Sequence, residues 1–201
     1  MGDRMSTLIF DTETTGLVNR DLPATHPKQP MPVQIGMKLD DDVRNERGVT
    51  NQLIIPVGWS MEAKAAELTG LSDQIAYDFG TSLQTAVELF LDWVEVADVI
   101  VAHNAMFDIT VMRRATKVYC DWEGVDYFDP FEGKTLICTM VATTPILQLP
   151  PKRNGEYKWP KLEECMKFFF NESIEGAHDA LVDVKACAKL FYHLMDEGIF
   201  A

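Results

Sequence analysis

The amino-acid sequence predicts an α/β fold, in which helices flank a mixed β-sheet. Two observations support this prediction. The first part of the chain contains three β-rich segments, an order that is typical of an antiparallel meander. From about residue 60 onward, apolar runs alternate with segments of helical periodicity, which indicates strands that are connected through helices.

The three early strands are predicted at residues 7–10, 33–39 and 51–57, where β-branched and aromatic residues concentrate. Residues 18–32 are rich in proline and polar residues, so they are predicted to form a loop between the first two strands. The polar stretch 40–48 is predicted to connect the second strand to the third.

The remainder of the chain is predicted to alternate helices and strands. Leu83, Val87, Leu91 and Val94 recur at helical spacing and predict a long helix. The continuous apolar run 99–102 is typical of a buried central strand. Further helices are predicted at 61–68, 105–116, 161–170 and 180–196, together with a strand at 135–139 and a proline-rich loop at 145–160.

Composition and charge narrow the possible function classes. Hydrophobic residues make up 47% of the chain and charged residues 24%, which is a normal globular mix. The net charge of −13 argues, taken alone, against a passive nucleic-acid binder. The sequence contains no apolar run long enough to span a membrane and no signal-peptide core, so we expect a cytoplasmic protein. The cysteines do not have the spacing of a zinc site, so we expect them to be free thiols.

Two acidic residues end the first predicted strand. Asp11 and Glu13 are two residues apart, so their side chains point to the same face of the sheet. A Thr-Thr-Gly turn follows them, and this turn brings free backbone N–H groups close to both acids. Taken alone, the pair could equally be an ordinary solvated strand end.

Two further acidic residues stand at matching places near predicted helix starts. Asn104 and Asp179 are good N-cap residues, and Asp108 and Asp183 each follow four residues later. Compensation of the helix dipole would explain either acid separately. His178 is five residues from Asp183, so the two cannot share a helix face, and we predict that His178 lies on the preceding loop. A structural role for this histidine is the alternative.

Four clustered carboxylates would repel one another unless cations neutralised them. Oxygen ligands suit Mg²⁺ or Mn²⁺ rather than zinc. Two such ions, about 3.5–4 Å apart, are a common device for cleaving phosphodiesters. An imidazole is a suitable general base for the attacking water. The residues therefore suit metal-dependent hydrolysis.

Three motifs resemble those of the DEDD 3′-to-5′ exonucleases. Residues 11–17 (DTETTGL) match the first motif and residues 102–108 (AHNAMFD) look like the second. Residues 177–183 (AHDALVD) are similar to the third, in the His-x4-Asp form of the DEDDh branch. That branch includes the proofreading subunit of bacterial DNA polymerase III and ribonuclease T. The motifs occur in order, and the resemblance extends from residue 7 to about residue 195.

The resemblance implies an RNase H-like fold whose five-stranded mixed sheet has three antiparallel strands followed by two parallel ones. It also implies release of nucleoside 5′-monophosphates from 3′ ends, most readily of single-stranded DNA. Residues 1–201 would then form a single exonuclease domain. A polymerase or another replication protein would be its protein partner. The implied ligands of two divalent metal ions, Mg²⁺ or Mn²⁺, are Asp11, Glu13, Asp108 and Asp183, with His178 as general base. The implied substrate contacts are Thr14 at the 3′-OH, Leu17 against a base, and Asn104 and Phe107 in the same pocket.

Two segments have no counterpart in the motifs. Residues 152–161 are basic and contain interleaved aromatic residues, so we hypothesise that Lys152, Arg153, Tyr157 and Lys158 guide the nucleic-acid strand. The alternative is a solvated loop with Trp159 in the core. Residues 118–133 look like an acidic, aromatic insertion, either a surface excursion or a partner-binding loop.

Three alternative functions remain open at this point. An exoribonuclease or oligoribonuclease would use the same catalytic residues on RNA. A catalytically silent nucleic-acid-binding module could retain the fold. A metallohydrolase acting on a substrate other than nucleic acid is the third alternative.

Overall fold

A computed structural model describes residues 5–151 and 155–200. Its strands form one five-stranded sheet in the order β3-β2-β1-β4-β5. The strands are β1 (Thr7–Thr14), β2 (Pro32–Asp40), β3 (Glu46–Leu53), β4 (Val99–Ala102) and β5 (Thr135–Cys138). The first three pair antiparallel, whereas β4 runs parallel to both β1 and β5. The mixed sheet implied by the family resemblance is therefore confirmed.

Helices occupy both faces of this sheet. They are α1 (Ala63–Thr69), α2 (Asp73–Phe79), α3 (Leu83–Val96), α4 (Ala105–Glu123), α5 (Thr139–Leu147), α6 (Leu162–Phe170) and α7 (Ala180–Asp196). Ser72 and Ser82 cap α2 and α3 by accepting hydrogen bonds from backbone N–H groups in the first turn. Within the described ranges, no helix is both long enough and apolar enough to cross a membrane.

The apolar side chains of β1 alternate between two cores, as the period of a strand requires. Phe10 packs against α3 and α4, and its ring lies 5.4 Å from that of Phe90. Ile9 points to the opposite face, where Val184 and Phe191 of α7 cover it. Because both faces of β1 are buried, the strand is fixed in register, and so are the polar residues at its carboxyl end.

Several predicted element bounds were wrong. β3 begins at Glu46 rather than at residue 51, because its polar first half forms an edge strand that pairs with β2. β1 extends through the acidic residues to Thr14. Helix α2 was not predicted, although serine at position 72 is a residue that favours the N-cap of a helix. It also missed α5, because Pro145 lies inside that helix and proline normally ends a helix.

The predicted insertion at 118–133 is a surface excursion held by specific contacts. Its first six residues continue α4, which ends at Glu123. Arg113 donates to Asp129 at 2.7 Å, and Phe131 is buried against Phe10 at a ring distance of 6.1 Å. Arg113, in the middle of α4, therefore has a local acidic partner in this segment.

Candidate active site

A cavity of about 530 Å³ opens where β1, α4 and the loop before α7 meet. Strands β1 and β4 are parallel, and α4 follows β4 after two residues, so the motif on α4 is carried to the end of β1. Helix α7 packs across β1 and β2 and brings the third motif to the same place. The five residues predicted to be catalytic all line the cavity: Asp11, Glu13, Asp108, His178 and Asp183.

Asp11 and Glu13 project from the same side of β1 towards the other carboxylates. Burial raises the pKa of Asp11 well above its ordinary value, and the charge of Asp108 raises it further. Burial also raises the pKa of Glu13, to about 8, and Asp183 is the next cause. Without a cation, these surroundings favour the protonated acids.

Asp108 lies in the first turn of α4 and is only 2% exposed. Its Oδ1 accepts hydrogen bonds from the backbone N–H of Thr12 at 3.0 Å and from the Thr12 hydroxyl at 2.7 Å. Burial raises the pKa of Asp108 to about 7, although the bonds from Thr12 act in the opposite direction. Thr12 was not singled out in the sequence, and it fixes the orientation of this carboxylate.

His178 and Asp183 complete the cavity from the side of α7. A ring nitrogen of His178 and one oxygen each of Glu13 and Asp183 lie within 4.8 Å of one another. The backbone N–H of His178 donates to Asp183 Oδ2 at 3.1 Å. Burial raises the pKa of Asp183, whereas this bond lowers it. As predicted, His178 lies on the loop before α7, and its side chain is exposed.

The loop that carries His178 adopts an unusual backbone conformation. His178 has a φ of 71°, in the left-handed region that non-glycine residues seldom occupy. Such a conformation persists only where the surrounding contacts hold it. The bond from His178 to Asp183 is one such contact, and the helix cap at Asp179 is the other.

Asp179 caps α7 and is itself held by the sheet. Its carboxylate accepts from the backbone N–H groups of the second and third residues after it, which confirms the predicted cap. It also accepts from the side-chain amide of Asn51 at 3.1 Å and from that of Gln34 at 3.3 Å. The Gln34 carbonyl in turn accepts from the backbone N–H of Ala180 at 3.0 Å. Sequence reasoning missed Gln34 and Asn51, although a glutamine in an otherwise apolar strand is a signal.

Gly36 permits α7 to lie directly against β2. A Cβ atom at this position would stand 2.5 Å from the carbonyl carbon of Ala180, so a side chain cannot be accommodated without a backbone shift. The start of α7 is thereby fixed relative to the sheet, and the loop that precedes it is fixed as well.

His103 links the cavity floor to the segment that precedes α6. Its Nδ1 lies 2.9 Å from the Thr139 hydroxyl, and its Nε2 lies 3.0 Å from the Pro160 carbonyl oxygen. Burial lowers the pKa of His103 to about 4, so the ring is neutral near pH 7. A neutral ring with its proton on Nε2 satisfies both contacts.

Three of the four substrate contacts that the resemblance implies line the cavity, and Thr14 does not. Leu17, Asn104 and Phe107 line the cavity, and the Leu17 side chain is 87% exposed. Asn104 stands at the N-cap position of α4 but makes no side-chain capping bond, so its amide is available to a ligand. Thr14 is buried, and its hydroxyl donates to the Gly16 carbonyl at 2.7 Å, so its side chain does not face the cavity.

The described residues of the predicted basic segment lie in different surroundings. Lys152 and Arg153 lie outside the described residues. The ammonium group of Lys158 is paired with a glutamate of α6, and Tyr157 is exposed away from the cavity lining. Trp159 lines the cavity and is 52% exposed, so the alternative that placed it in the core is wrong.

The donor set of the cavity fits hard divalent cations. Within residues 5–151 and 155–200, no lysine or arginine forms an ion pair with any of the four carboxylates. Buried carboxylates without counter-charge are unfavourable as anions, and carboxylate oxygens are the ligands that Mg²⁺ and Mn²⁺ prefer. Asp11, Glu13, Asp108 and Asp183 could therefore hold such ions.

Comparison with known proteins gives three findings. A family model described as Exonuclease (RNase_T) matches residues 8–191. The DNA polymerase III subunit epsilon of Buchnera aphidicola is 26% identical over 199 residues, which is 98% of this chain and 75% of that protein. A structure of E. coli exonuclease I with a dT13 oligonucleotide is similar with a TM-score of 0.73 at 20% identity, over 94% of this chain and 41% of that chain.

A second exonuclease I structure, the zinc-bound form of the E. coli enzyme with single-stranded DNA, is similar with a TM-score of 0.70 at 20% identity. The match covers 96% of this chain and 43% of that chain. The chain thus spans less than half the length of these exonuclease I chains. At this identity, the likeness shows a shared fold.

Proposed function

The chain belongs to the exonuclease family, within the DEDD 3′-to-5′ superfamily, and on that premise we propose that it removes nucleotides singly from the 3′ ends of single-stranded DNA. Two divalent metal ions would be its cofactors, and nucleoside 5′-monophosphates its products. The proposal treats residues 1–201 as one exonuclease domain.

The observation on which the proposal rests is the convergence of three distant segments on one cavity. Four carboxylates that have no cationic partner among the described residues meet there with one exposed imidazole, although they are separated by as much as 172 residues along the chain, from Asp11 to Asp183. A structural role would not require buried acids whose pKa values are raised, because such acids destabilise the fold when charged.

Each carboxylate would act as a ligand from a fixed position. Thr12 orients Asp108, and the backbone of His178 orients Asp183. Asp11 and Glu13 are oriented by the register of β1. When bound, Mg²⁺ ions would neutralise the scissile phosphate and activate water for attack on it. The four residues therefore set where the phosphate must lie.

His178 would accept the proton of the attacking water. Its exposed ring lies beside Glu13 and Asp183 at the cavity mouth, where water can reach it. The same ring could then release the proton to solvent. Because Asp179 holds the loop that carries His178, the imidazole keeps its position while the outer edge of the ring stays exposed to solvent.

The substrate side of the proposal rests on the residues around the carboxylates. Leu17 and Phe107 offer apolar contacts to the terminal base, and the unused amide of Asn104 offers a hydrogen bond. We propose DNA as the substrate because one relative is a DNA polymerase subunit and a structural neighbour holds a DNA oligonucleotide. On the same basis, a DNA polymerase is the proposed protein partner.

Matched DNA and RNA oligonucleotides of one sequence test the substrate. With Mg²⁺, we expect 5′-labelled single-stranded DNA to shorten stepwise and at a higher rate than the RNA. Faster shortening of the RNA would replace DNA with RNA as the substrate. Binding of either strand without any cleavage would support the silent-module alternative.

Metal-free protein should lose stability as the pH rises from 5 to 8. The folded-state pKa values of Asp108 and Glu13, about 7 and about 8, lie above those of unfolded acids, so the folded state binds more protons. The resulting stabilisation is complete below about pH 4 and is lost as the pH rises through 7 and 8. In EDTA, we expect the melting temperature to fall by roughly 10 °C or more across this range, since each unit of pKa shift corresponds to about 1.4 kcal/mol.

Added Mg²⁺ should reverse this loss, and most strongly at pH 8, because the ions bind the charged carboxylates of the folded chain. Melting curves at four pH values, with EDTA and with Mg²⁺, give the measurement. Asp108→Asn serves as the matched control and should reduce the dependence of the melting temperature on pH in EDTA. A metal-free protein that is more stable at pH 8 than at pH 5 would contradict the prediction.

A further inference from the structure

Three neighbouring strands present one row of residues on the face of the sheet that carries the acidic pair. Asp11 on β1 stands opposite Gly36 on β2, and Gly36 stands opposite Asn51 on β3. Residues that stand opposite each other on adjacent antiparallel strands share a face of the sheet. Since Gly36 has no side chain, the backbone of Ala180 at the start of α7 lies directly against the middle of this row. Asp11 and Asn51 therefore flank the start of α7 on one face.

Gln34 belongs to a second row on the same face. It stands opposite Glu13 of β1, and it lies two residues before the glycine of the first row. Its side chain is buried, and a buried amide is costly unless it is hydrogen-bonded. The carbonyl of Gln34 accepts from the backbone N–H of Ala180 at 3.0 Å, and its amide nitrogen donates to Asp179 at 3.3 Å. Both ends of this amide are therefore bonded to the start of α7.

Asp179 accepts more hydrogen bonds than a helix cap requires. The side-chain amide of Asn51 donates to its carboxylate and lies 3.1 Å from each oxygen. Two backbone N–H groups of α7 donate to the same carboxylate, and these bonds alone would cap the helix. Ser72 and Ser82, which cap α2 and α3, accept only from their own helices. The bonds from Gln34 and Asn51 therefore attach the cap of α7 to the sheet.

The loop that ends at this cap has a conformation that must be held. Gly176 and His178 have φ angles of 78° and 71°. A residue with a side chain keeps a left-handed conformation only where surrounding contacts maintain it. His178 is bonded directly to the anchored Asp179, and its ring reaches the Glu13 carboxylate. If the anchor were lost, the backbone of His178 could relax and the imidazole would leave that carboxylate.

We propose that Gln34 and Asn51 are positioning residues for His178. They hold Asp179 against the sheet face that carries the acidic pair, and they thereby set the distance from the imidazole to the carboxylates of that pair. Neither Gln34 nor Asn51 lines the cavity, so neither would contact the substrate. This inference rests on the proposed function, since it requires His178 to act as the general base.

Two substitutions of Asn51 test the proposal in steady-state release of nucleotides from single-stranded DNA with Mg²⁺. Asn51→Ala removes the donor, whereas Asn51→Asp keeps the shape of the side chain and sets two carboxylates against each other. We expect kcat to fall about tenfold and about a hundredfold, respectively, with KM little changed, because a displacement of about 1 Å can cost a hundredfold in rate. Asn51 is exposed, so both variants should fold, which melting curves check.

Gln34→Met removes both bonds of Gln34 and keeps a side chain of similar length. We expect kcat to fall about a hundredfold or more, again with KM little changed. Gln34 is only 6% exposed, so a melting curve must show that this variant folds. If it does not fold, the exposed Asn51 variants decide the proposal by themselves.

A double-mutant cycle with His178→Asn separates positioning from a general loss of structure. In the His178→Asn background, Asn51→Asp should change the remaining kcat by less than about threefold, because no imidazole is left to position. Asn45→Ala is the matched control and should leave kcat unchanged. Asn45 is also exposed, and its side-chain amide donates to Asp41 at 3.2 Å, away from the cavity lining.

Metal binding gives a readout that is independent of activity. The Mg²⁺-induced rise in melting temperature should be the same for Asn51→Ala as for the unchanged protein, because the four carboxylates of the cavity are retained. A loss of that rise would show that Asn51 acts on the metal ligands rather than on His178, and it would overturn the proposal.

The outcomes distinguish this proposal from the proposed function. Asn51→Asp with kcat within twofold of the unchanged protein would overturn the positioning role, as would an equal loss of kcat with and without the imidazole. If the unchanged protein released no nucleotide with Mg²⁺, the proposed function would fail and this inference with it. If His178→Asn lowered kcat and Asn51→Asp did not, only the positioning assignment would fail.

Discussion

We expect Asp108→Asn to abolish Mg²⁺-dependent nucleotide release and to leave the fold intact. We expect kcat/KM to fall by about a thousandfold or more, because an amide is a far poorer ligand than a carboxylate for a hard divalent cation. The amide oxygen can still accept both bonds from Thr12, so the side chain keeps its place. Single-turnover release from 5′-labelled single-stranded DNA measures the effect.

Stability measurements separate a lost ligand from a lost fold. In EDTA at pH 8, Asp108→Asn should melt no lower than the unchanged protein, because it removes a buried charge that has no cationic partner. Asp121→Asn is the matched control, since Asp121 lies on the same helix, is exposed, and pairs with Lys117 away from the cavity. Asp108→Asn with activity within tenfold of the unchanged protein would refute the metal-ligand assignment.

As the proposed general base, His178 should contribute roughly 10²–10⁴-fold to kcat, so we expect His178→Asn to lower kcat by this factor and to change KM little. Asparagine tolerates the left-handed conformation that this position adopts, so the backbone bond to Asp183 can persist. Steady-state kinetics across pH 6–9 give the measurement.

His193→Asn is the control for this second prediction. His193 lies in the last turn of α7, the helix that follows His178, and it packs against aromatic rings of α6. Its replacement should leave kcat unchanged. If His178→Asn instead raised KM with kcat preserved, the imidazole would bind substrate rather than move a proton.

The catalytic cluster could be predicted from the sequence because each of its parts is marked locally. Asp11 and Glu13 share a face through strand periodicity, and Asp108 and Asp183 stand at equal distances from helix starts. The sheet topology brings these residues together, because β1 and β4 are parallel neighbours and α7 packs against β1. The positions of these residues in the sequence therefore predicted that they would lie together in the structure.

The parts that hold the cluster could not be predicted in the same way. Gln34 and Asn51 reach Asp179 only because β2 and β3 pair in one particular register, which local patterns do not reveal. Gly36 is decisive only once α7 lies against β2. Contacts of this kind depend on tertiary placement, so a sequence pattern predicts the residues that react better than those that position them.

A second cavity beside the active site, between the loop 18–29 and the starts of α4 and α5, was missed for a related reason. Its walls are formed by a proline-rich loop and by two helices. One of these helices, α5, was not predicted because it contains Pro145. Arg20 and Trp159 are 139 residues apart, yet they lie in contact. The net charge of −13 was similarly uninformative, because a sum over the chain does not show that five of the 31 acidic residues line one cavity.

The direction and products of digestion test the central claim most directly. Single-stranded DNA labelled at its 5′ end is incubated with Mg²⁺ or with EDTA, and the products are resolved at single-nucleotide length. We predict a ladder that shortens one nucleotide at a time from the 3′ end, with release of nucleoside 5′-monophosphates, and no shortening in EDTA. Immediate release of the 5′ label as a mononucleotide, internal cleavage, or undiminished cleavage in EDTA would contradict the account.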